Sequence, residues 1–422
     1  MTEDFLHYLW KFRLLEGPMC TVSGDHIAVF HPGEHNLDAG PDFLNARLRI
    51  GDTTWAGNVE MHMRSSDWIR HNHQADRAYD NVILHVVLED DLEKPNGSLQ
   101  RIPVLEIREQ VPVSVYERYE DLLHNRNWIP CERLIGGLDP FCFGQWSQAL
   151  VVERLEEKSR RFRQILESCR YDWDEAFFRH LARAFGFRIN SVPFESLARS
   201  TPFRILLRHR DNLFQLESLL FGQAGMLEQD FTGKYPKQLK QEYRFLREKY
   251  SLSPVEGSLW KFLRLRPSNF PTIRIAQLAM LLHRFGKLTD LIIQEETLAG
   301  LLEKLTVPVT DYWFDHYVFD KPSRHRHKMM GHSSVQLLVL NLAIPFLFHY
   351  GDEKGIPAYR EKGLQLLEEL PGEVNAETIR FAGLGLPVSR ADQTQALLQL
   401  KNKYCNRKRC LECRIGKELL TR

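Results

Sequence analysis

One short stretch of this chain concentrates the side chains that could do chemistry. Asn36-Leu37-Asp38-Ala39-Gly40-Pro41-Asp42-Phe43 is followed, after an alternating segment, by Gly57-Asn58-Val59-Glu60-Met61-His62. Gly51-Asp52 lies between them, and glycine at the first central position favours a type II′ hairpin turn. A tight turn pairs 50 with 53 and puts 42 opposite 61, so Asp42 faces the Glu60–His62 stretch. Asn58, Glu60 and His62 stand two apart and therefore share one face of a strand. Two carboxylates on adjacent strands suit Mg²⁺ or Mn²⁺, which keeps its other positions for water and phosphate oxygen. That is the chemistry of metal-dependent phosphodiester cleavage, with a basic side chain orienting or deprotonating the attacking water. Asp42, Glu60 and His62 are the leading candidates. Asp38, Asn58, His71 and His73 form a second tier, and either of the last two could approach a metal or a phosphate.

Plainer roles compete at several of these positions. Asp38 and Asp42 sit in a Gly/Pro loop where aspartate bonds its own backbone. Asp67, after Ser65-Ser66, suits a helix cap, and His85 in an apolar run suits a hydrogen-bonded core histidine. Glu60 is harder to assign a plain role, because an inward carboxylate between apolar neighbours needs a partner.

A second cluster lies at the C-terminus, Cys405-x4-Cys410-x2-Cys413 in a basic stretch. Thiolates on a two-residue spacer suit zinc or an iron–sulfur cluster. Cys131 is the best candidate for a fourth ligand, with Cys142, Cys20 or a histidine as others. Arg407, Lys408 and Arg409, and Arg266 in the Arg264–Pro271 loop, are candidate phosphate contacts, since a backbone electrostatic patch needs no sequence reading.

The elements that must position these residues fall into two halves. Residues 1–115 open with a helix over about 3–15 and then turn β-rich, with alternation at 26–30, 44–50 and 55–63. A polar helix is expected at about 66–80, followed by a mostly buried strand at 81–88. The order helix, strand, strand, strand, helix, strand describes a mixed sheet unit. From about 144 the pattern is helical almost throughout, with linkers expected near 90–100 and 129–144. The expected organisation is α+β: an α/β domain at 1–130, a helical domain at 144–400 and a basic cysteine tail at 401–422.

Composition narrows the class. Hydrophobic residues make up 43% and charged residues 26%, as in a globular chain rather than a disordered one. A formal net charge of +1 supplies no global field, so a nucleic-acid partner would need a local basic patch. The start MTEDFLHYLWKF lacks the basic and apolar regions of a signal peptide. The apolar run 335–348 is short for a bilayer and contains Pro345, so a buried helix is expected and no membrane partner. Cytoplasmic localisation with reduced thiols follows as the expectation.

Pro41-Asp42, with Glu60-Met61-His62 farther on, is similar to the PD-(D/E)XK nuclease superfamily, whose core has the element order read above. The resemblance implies that Asp42 and Glu60 bind metal and that His62 occupies the position normally held by lysine. A neutral imidazole can act as base or ligand but does not supply lysine's fixed charge. RecB-like members place a Gln and a Tyr on the following helix, which draws Tyr79 into the second tier; Gln74 and Tyr79 are spaced five apart rather than four. Some RecB-like nucleases also close their fold with a C-terminal cysteine cluster around [4Fe–4S]. The whole chain, through GPDF, GNVEMHMRSSDW, YDNVILHVV, RPSNFP and YCNRKRCLECRIG, resembles an uncharacterised bacterial domain-of-unknown-function family of Bacteroidetes type.

Three functions are therefore weighed. The first is a metal-dependent nuclease acting on DNA or RNA; the second is a nucleic-acid-binding or assembly protein on a degenerate nuclease fold. The third is a metalloenzyme of another class, using His62 with His71 or His73 and a carboxylate.

Overall fold

A computed structural model describes residues 1–92 and 102–422. Pro95, Asn96 and Gly97 of the expected linker lie outside the described residues. The fold is α+β, and the chain divides into two compact units. One comprises residues 1–146 with 400–422, the other residues 147–399. The C-terminal segment thus belongs to the sheet-bearing unit rather than forming a separate tail.

The first unit begins with α1 (Glu3–Lys11), which buries Phe5, Leu6, Leu9 and Trp10. It stops short of the expected end, and Arg13 beyond it has a left-handed φ of 53°. Then come β1 (Met19–Cys20), β2 (His26–His31), β3 (Glu34–His35), β4 (Phe43–Ile50) and β5 (Thr53–Arg64). After the short α2 (Asp67–Arg70) follow β6 (Val82–Glu89), β7 (Val104–Glu106) and α3 (Val113–His124). The sheet runs β1-β2-β4-β5-β6-β7, with β3 added beside β4. The pairs up to β4–β5 are antiparallel, whereas β5–β6 and β6–β7 are parallel. A strand with parallel partners is buried on both faces, which is why β6 reads Val-Ile-Leu-His-Val-Val. Leu6, Trp10, Phe43, Leu48, Val59, Met61, Leu84 and Val86 share the main core of this unit.

The β4–β5 hairpin pairs Ile50 with Thr53 across Gly51-Asp52. Gly51 has φ +56° and Asp52 does not have positive φ, the pattern of the expected II′ turn. The register then slips. Ala46 pairs with Gly57 but Phe43 with Val59, because Asn45 bulges out with φ 58°. Asn58 closes the gap, its Oδ1 accepting the Asn45 N–H at 3.2 Å. Continued past Phe43, the slipped register sets Asp42 against Glu60 rather than against Met61 as expected.

The second unit is helical. α4 (Pro140–Ser168) enters it, followed by α5 (Trp173–Phe185), and helices recur through Ala391–Gln399. The apolar run forms part of a continuous helix, His332–Lys354, of whose most apolar window 72% is buried. Among the described residues it is the one helix long and apolar enough to cross a membrane, and its burial matches the expected core helix.

Candidate metal centre

The centre is built on the face of β5 that carries Glu60 and His62, opposite the face that sends Val59 and Met61 into the core. Both polar residues are buried, and His85 on the adjoining β6 has no exposed surface at all. The expected helix over 66–80 does not form as one piece. It ends at Arg70, Asn72 adopts φ 59°, and two short 3-10 turns, His73–Ala75 and Arg77–Tyr79, follow. That break decides the site. On a continuous helix, residues two apart point to nearly opposite sides. The left-handed Asn72 instead folds His71 and His73 onto the same point above His62. Asparagine tolerates that conformation better than most residues.

The result is a cluster of four donor atoms. His62 Nε2 lies 3.2 Å from His71 Nδ1 and 3.3 Å from His73 Nε2. Glu60 Oε1 lies 3.3 Å from His73 Nε2 and 3.5 Å from His62 Nε2. The three imidazole nitrogens all fall within 4.8 Å of one another. Ligands about 2.0–2.1 Å from a tetrahedral zinc ion stand roughly 3.3 Å apart along the tetrahedron's edges, the length of the contacts His62 Nε2 makes, and the three imidazoles are the group compact enough to share one ion, with Glu60 beside His62 and His73.

Neighbouring side chains hold these imidazoles in place. His62 Nδ1 and His85 Nε2 are 2.9 Å apart, so a proton on Nδ1 leaves Nε2 as a bare lone pair facing the cluster. Tyr79 stacks on His73 with ring centroids 3.9 Å apart, and Trp68 packs edge-on against His73 at 5.4 Å. The Asp42 and Glu60 carboxylates each bond a backbone N–H of the facing strand segment. The Asp42 N–H donates to Glu60 Oε2 at 3.0 Å, and the Met61 N–H donates to Asp42 Oδ2 at 2.9 Å. His7 Nε2, on α1, lies 3.2 Å from Asp42 Oδ2 without hydrogen-bond alignment.

The electrostatics describe a site short of positive charge. Burial, and then the nearby Asp42 carboxylate, push the Glu60 carboxyl up to about 8. Burial, and then the neighbouring imidazoles, press His62 down to about 2. His73 is lowered by burial and by His71, and His85 by burial to about 4. Neutral imidazoles are the metal-binding form. A divalent cation would relieve both the carboxylate crowding and the burial cost at Glu60.

Other sequence candidates are placed elsewhere. Asp38 is exposed, and its N–H bonds Asn36 Oδ1 at 3.0 Å. Asn58 patches the bulge rather than facing a metal. Asp67 is buried, accepting the Arg64 N–H and pairing with Arg70 at 2.9 Å. Lys408 donates to the Leu123 carbonyl, and Arg409 pairs with Glu412 over the Tyr404 ring. Arg407 is exposed, while Arg266 is exposed in the other unit. Arg274 is buried and ties Gln277, Asn269 and Ser334 together, so it shapes its loop. His7 and His85 reach the cluster from α1 and β6, contacts that no local sequence pattern marks.

The cysteines converge within the same unit. Cys131, Cys405, Cys410 and Cys413 line one small pocket with Tyr404, Pro130 and Ile415. Cys142 instead bonds Glu418, and Cys20 is exposed. Burial, then the neighbouring thiols, raise Cys131 to about 12. Burial raises the Cys413 thiol as well, with the nearby Gly416 and Ile415 N–H groups acting in the opposite sense.

The chain belongs to the family described as Protein of unknown function (DUF2851), which matches residues 3–376. The matched range contains every residue of the histidine–carboxylate cluster and Cys131, and ends before the other three cysteines. No curated protein and no solved structure matches the chain.

Proposed function

We propose that the protein is a metal-dependent hydrolase in which His62, His71, His73 and Glu60 hold one divalent transition-metal ion. The observation that carries this reading is the convergence of His71 Nδ1, His73 Nε2 and Glu60 Oε1 on His62 Nε2, at 3.2, 3.3 and 3.5 Å. A donor set of three nitrogens and one oxygen favours zinc or a similar borderline ion over the all-oxygen Mg²⁺ site expected from Asp42 and Glu60. His62 is then a ligand rather than a stand-in for lysine. When bound, such an ion lowers the pKa of its water and polarises a phosphoryl or carbonyl oxygen. Asp42, partly exposed and joined to Glu60 through its backbone N–H, would serve as the base for a metal-bound water. His71 is exposed and marks the open side of the site.

Phosphodiester linkages in DNA or RNA are the proposed substrate class, and the resemblance of Pro41-Asp42 and Glu60-Met61-His62 to the PD-(D/E)XK motifs is what supports that choice. The thiol pocket is proposed as a second, structural centre for zinc or an iron–sulfur cluster. The test is cleavage of single- and double-stranded DNA and RNA with Zn²⁺, Mn²⁺ or Mg²⁺, comparing wild type with Asp42→Asn and His71→Ala. Metal-dependent cutting lost in both variants is expected. Nucleic-acid binding without cutting, unchanged in both variants, would replace this reading with that of a binding protein on the same scaffold.

A further inference from the structure

The second unit holds a cavity of about 720 Å³, within the size range of small-molecule sites. On α4, Arg154, Lys158 and Arg161 recur at helical spacing and line one wall. His180 and Arg183 on α5, with Arg188 just beyond it, line another.

Five cationic side chains therefore share the cavity with one carboxylate, Glu157, which pairs with Arg160 at 3.8 Å. Only part of the positive charge is compensated. Arg183 pairs with Glu195. Lys158 bonds the neutral amides of Asn341 and Gln395, at 3.1 and 3.0 Å. Arg154 bonds the amides of Gln395 and Gln399, with Glu373 contributing at longer range. Neither Arg161 nor Arg188 has an ion-pair partner among the described residues. Burial, and then Arg154, lower Lys158 to about 7, which reflects how closely these cations are held.

A second observation points to a ligand. His180 is 7% exposed, lines the cavity, and neither ring nitrogen has a hydrogen-bond partner. A buried imidazole left without partners carries a desolvation cost, which a ligand group reaching it would remove.

We propose that this cavity binds a small, multiply phosphorylated ligand, with the arginines gripping phosphate oxygens and His180 bonding one of them. Arginine's planar fork matches phosphate geometry, and cations distributed over two walls suit two or more phosphates better than one. The inference does not rest on the metal-site reading.

The test is calorimetric titration with inorganic tripolyphosphate, ATP and a twelve-nucleotide single strand. It is carried out in a His62→Ala background so that chelation at the other site does not enter. Tripolyphosphate or ATP should bind saturably. Arg161→Ala with Arg188→Ala, both exposed positions, should weaken binding at least tenfold while leaving the thermal midpoint unchanged, and the two Arg→Lys changes should restore part of it. His180→Phe should weaken binding without altering net charge. Absence of saturable binding to either phosphate probe would overturn the proposal, as would binding unchanged in the double variant. Tighter, arginine-dependent binding of the single strand would overturn it in favour of a nucleic-acid site.

Discussion

The two sites of this protein have opposite electrostatic deficits. The histidine–carboxylate cluster gathers neutral imidazoles and crowded carboxylates, so it lacks a cation. The helical cavity gathers arginines and a lysine around a single carboxylate, so it lacks an anion. They also form by different means. The cluster depends on backbone irregularities, a bulge at Asn45 and a left-handed break at Asn72, which turn side chains away from the directions regular elements would give. The cavity depends on regular helices whose cationic stripes happen to face inward. Irregularity makes the first site specific in geometry, whereas regularity makes the second broad in shape.

Removing a ligand should break the comparison most sharply. His62→Ala leaves three donors and should weaken zinc binding by more than about a hundredfold, measured by competition with a chromophoric chelator. This exceeds the roughly 10–100-fold typical of losing an outer-shell partner. His62→Ala should leave polyphosphate binding in the helical unit unaltered.

The next effect is on stability and pH. In chelated protein Glu60 carries a folded-state value of about 8 against 4.5 unfolded. The folded state then binds more protons than the unfolded one between those values, so stability falls as pH rises from about 4.5 to 8. The slope attributable to Glu60 approaches about 1.4 kcal/mol per pH unit. His62 and His85 contribute with opposite sign below about 6.5, and Lys158, lowered to about 7, does so above 7, so the Glu60 part is read as the difference between wild type and Glu60→Gln. Chemical denaturation should show the wild type losing its advantage over Glu60→Gln as pH rises from about 6.5 to 8, and added metal should abolish that trend.

A smaller effect is expected at the residue behind the cluster. His85→Phe removes the group bonding His62 Nδ1 and should cost about 10–100-fold in metal affinity while the fold is retained. The smallest should come from the backbone. Asn72→Ala places a Cβ-branched-free but left-handed-averse residue at φ 59° and should cost about 1 kcal/mol in denaturation experiments. Asn72→Gly should be close to neutral.

Part of this was legible in the sequence, for physical reasons. Alternation marked the strands, Gly51-Asp52 marked the hairpin, and the cost of burying a lone carboxylate marked Glu60. The cysteine spacing pointed to a shared pocket that includes Cys131. What was not legible came from local departures and distant packing. Periodicity suggests one helix over 66–80, on which His71 and His73 could not both reach His62; the signal against it is Asn72, a residue tolerant of the left-handed region. The one-residue slip at Asn45 had no sequence marker beyond the asparagine itself. His7 and His85 reach the site from α1 and β6, and only the assembled sheet reveals that. The cationic cavity needed the relative placement of α4 and α5, which helical spacing alone cannot give.

One transition-metal ion held by three imidazoles and a carboxylate has a distinctive X-ray absorption spectrum. On protein loaded with one equivalent of zinc and carrying Cys410→Ser and Cys413→Ser to disable the thiol pocket, the metal edge should show nitrogen and oxygen neighbours at about 2.0–2.1 Å with imidazole multiple scattering, lost when His62→Ala is added. A sulfur-dominated environment, or an imidazole signature unchanged by His62→Ala, would rule this coordination out.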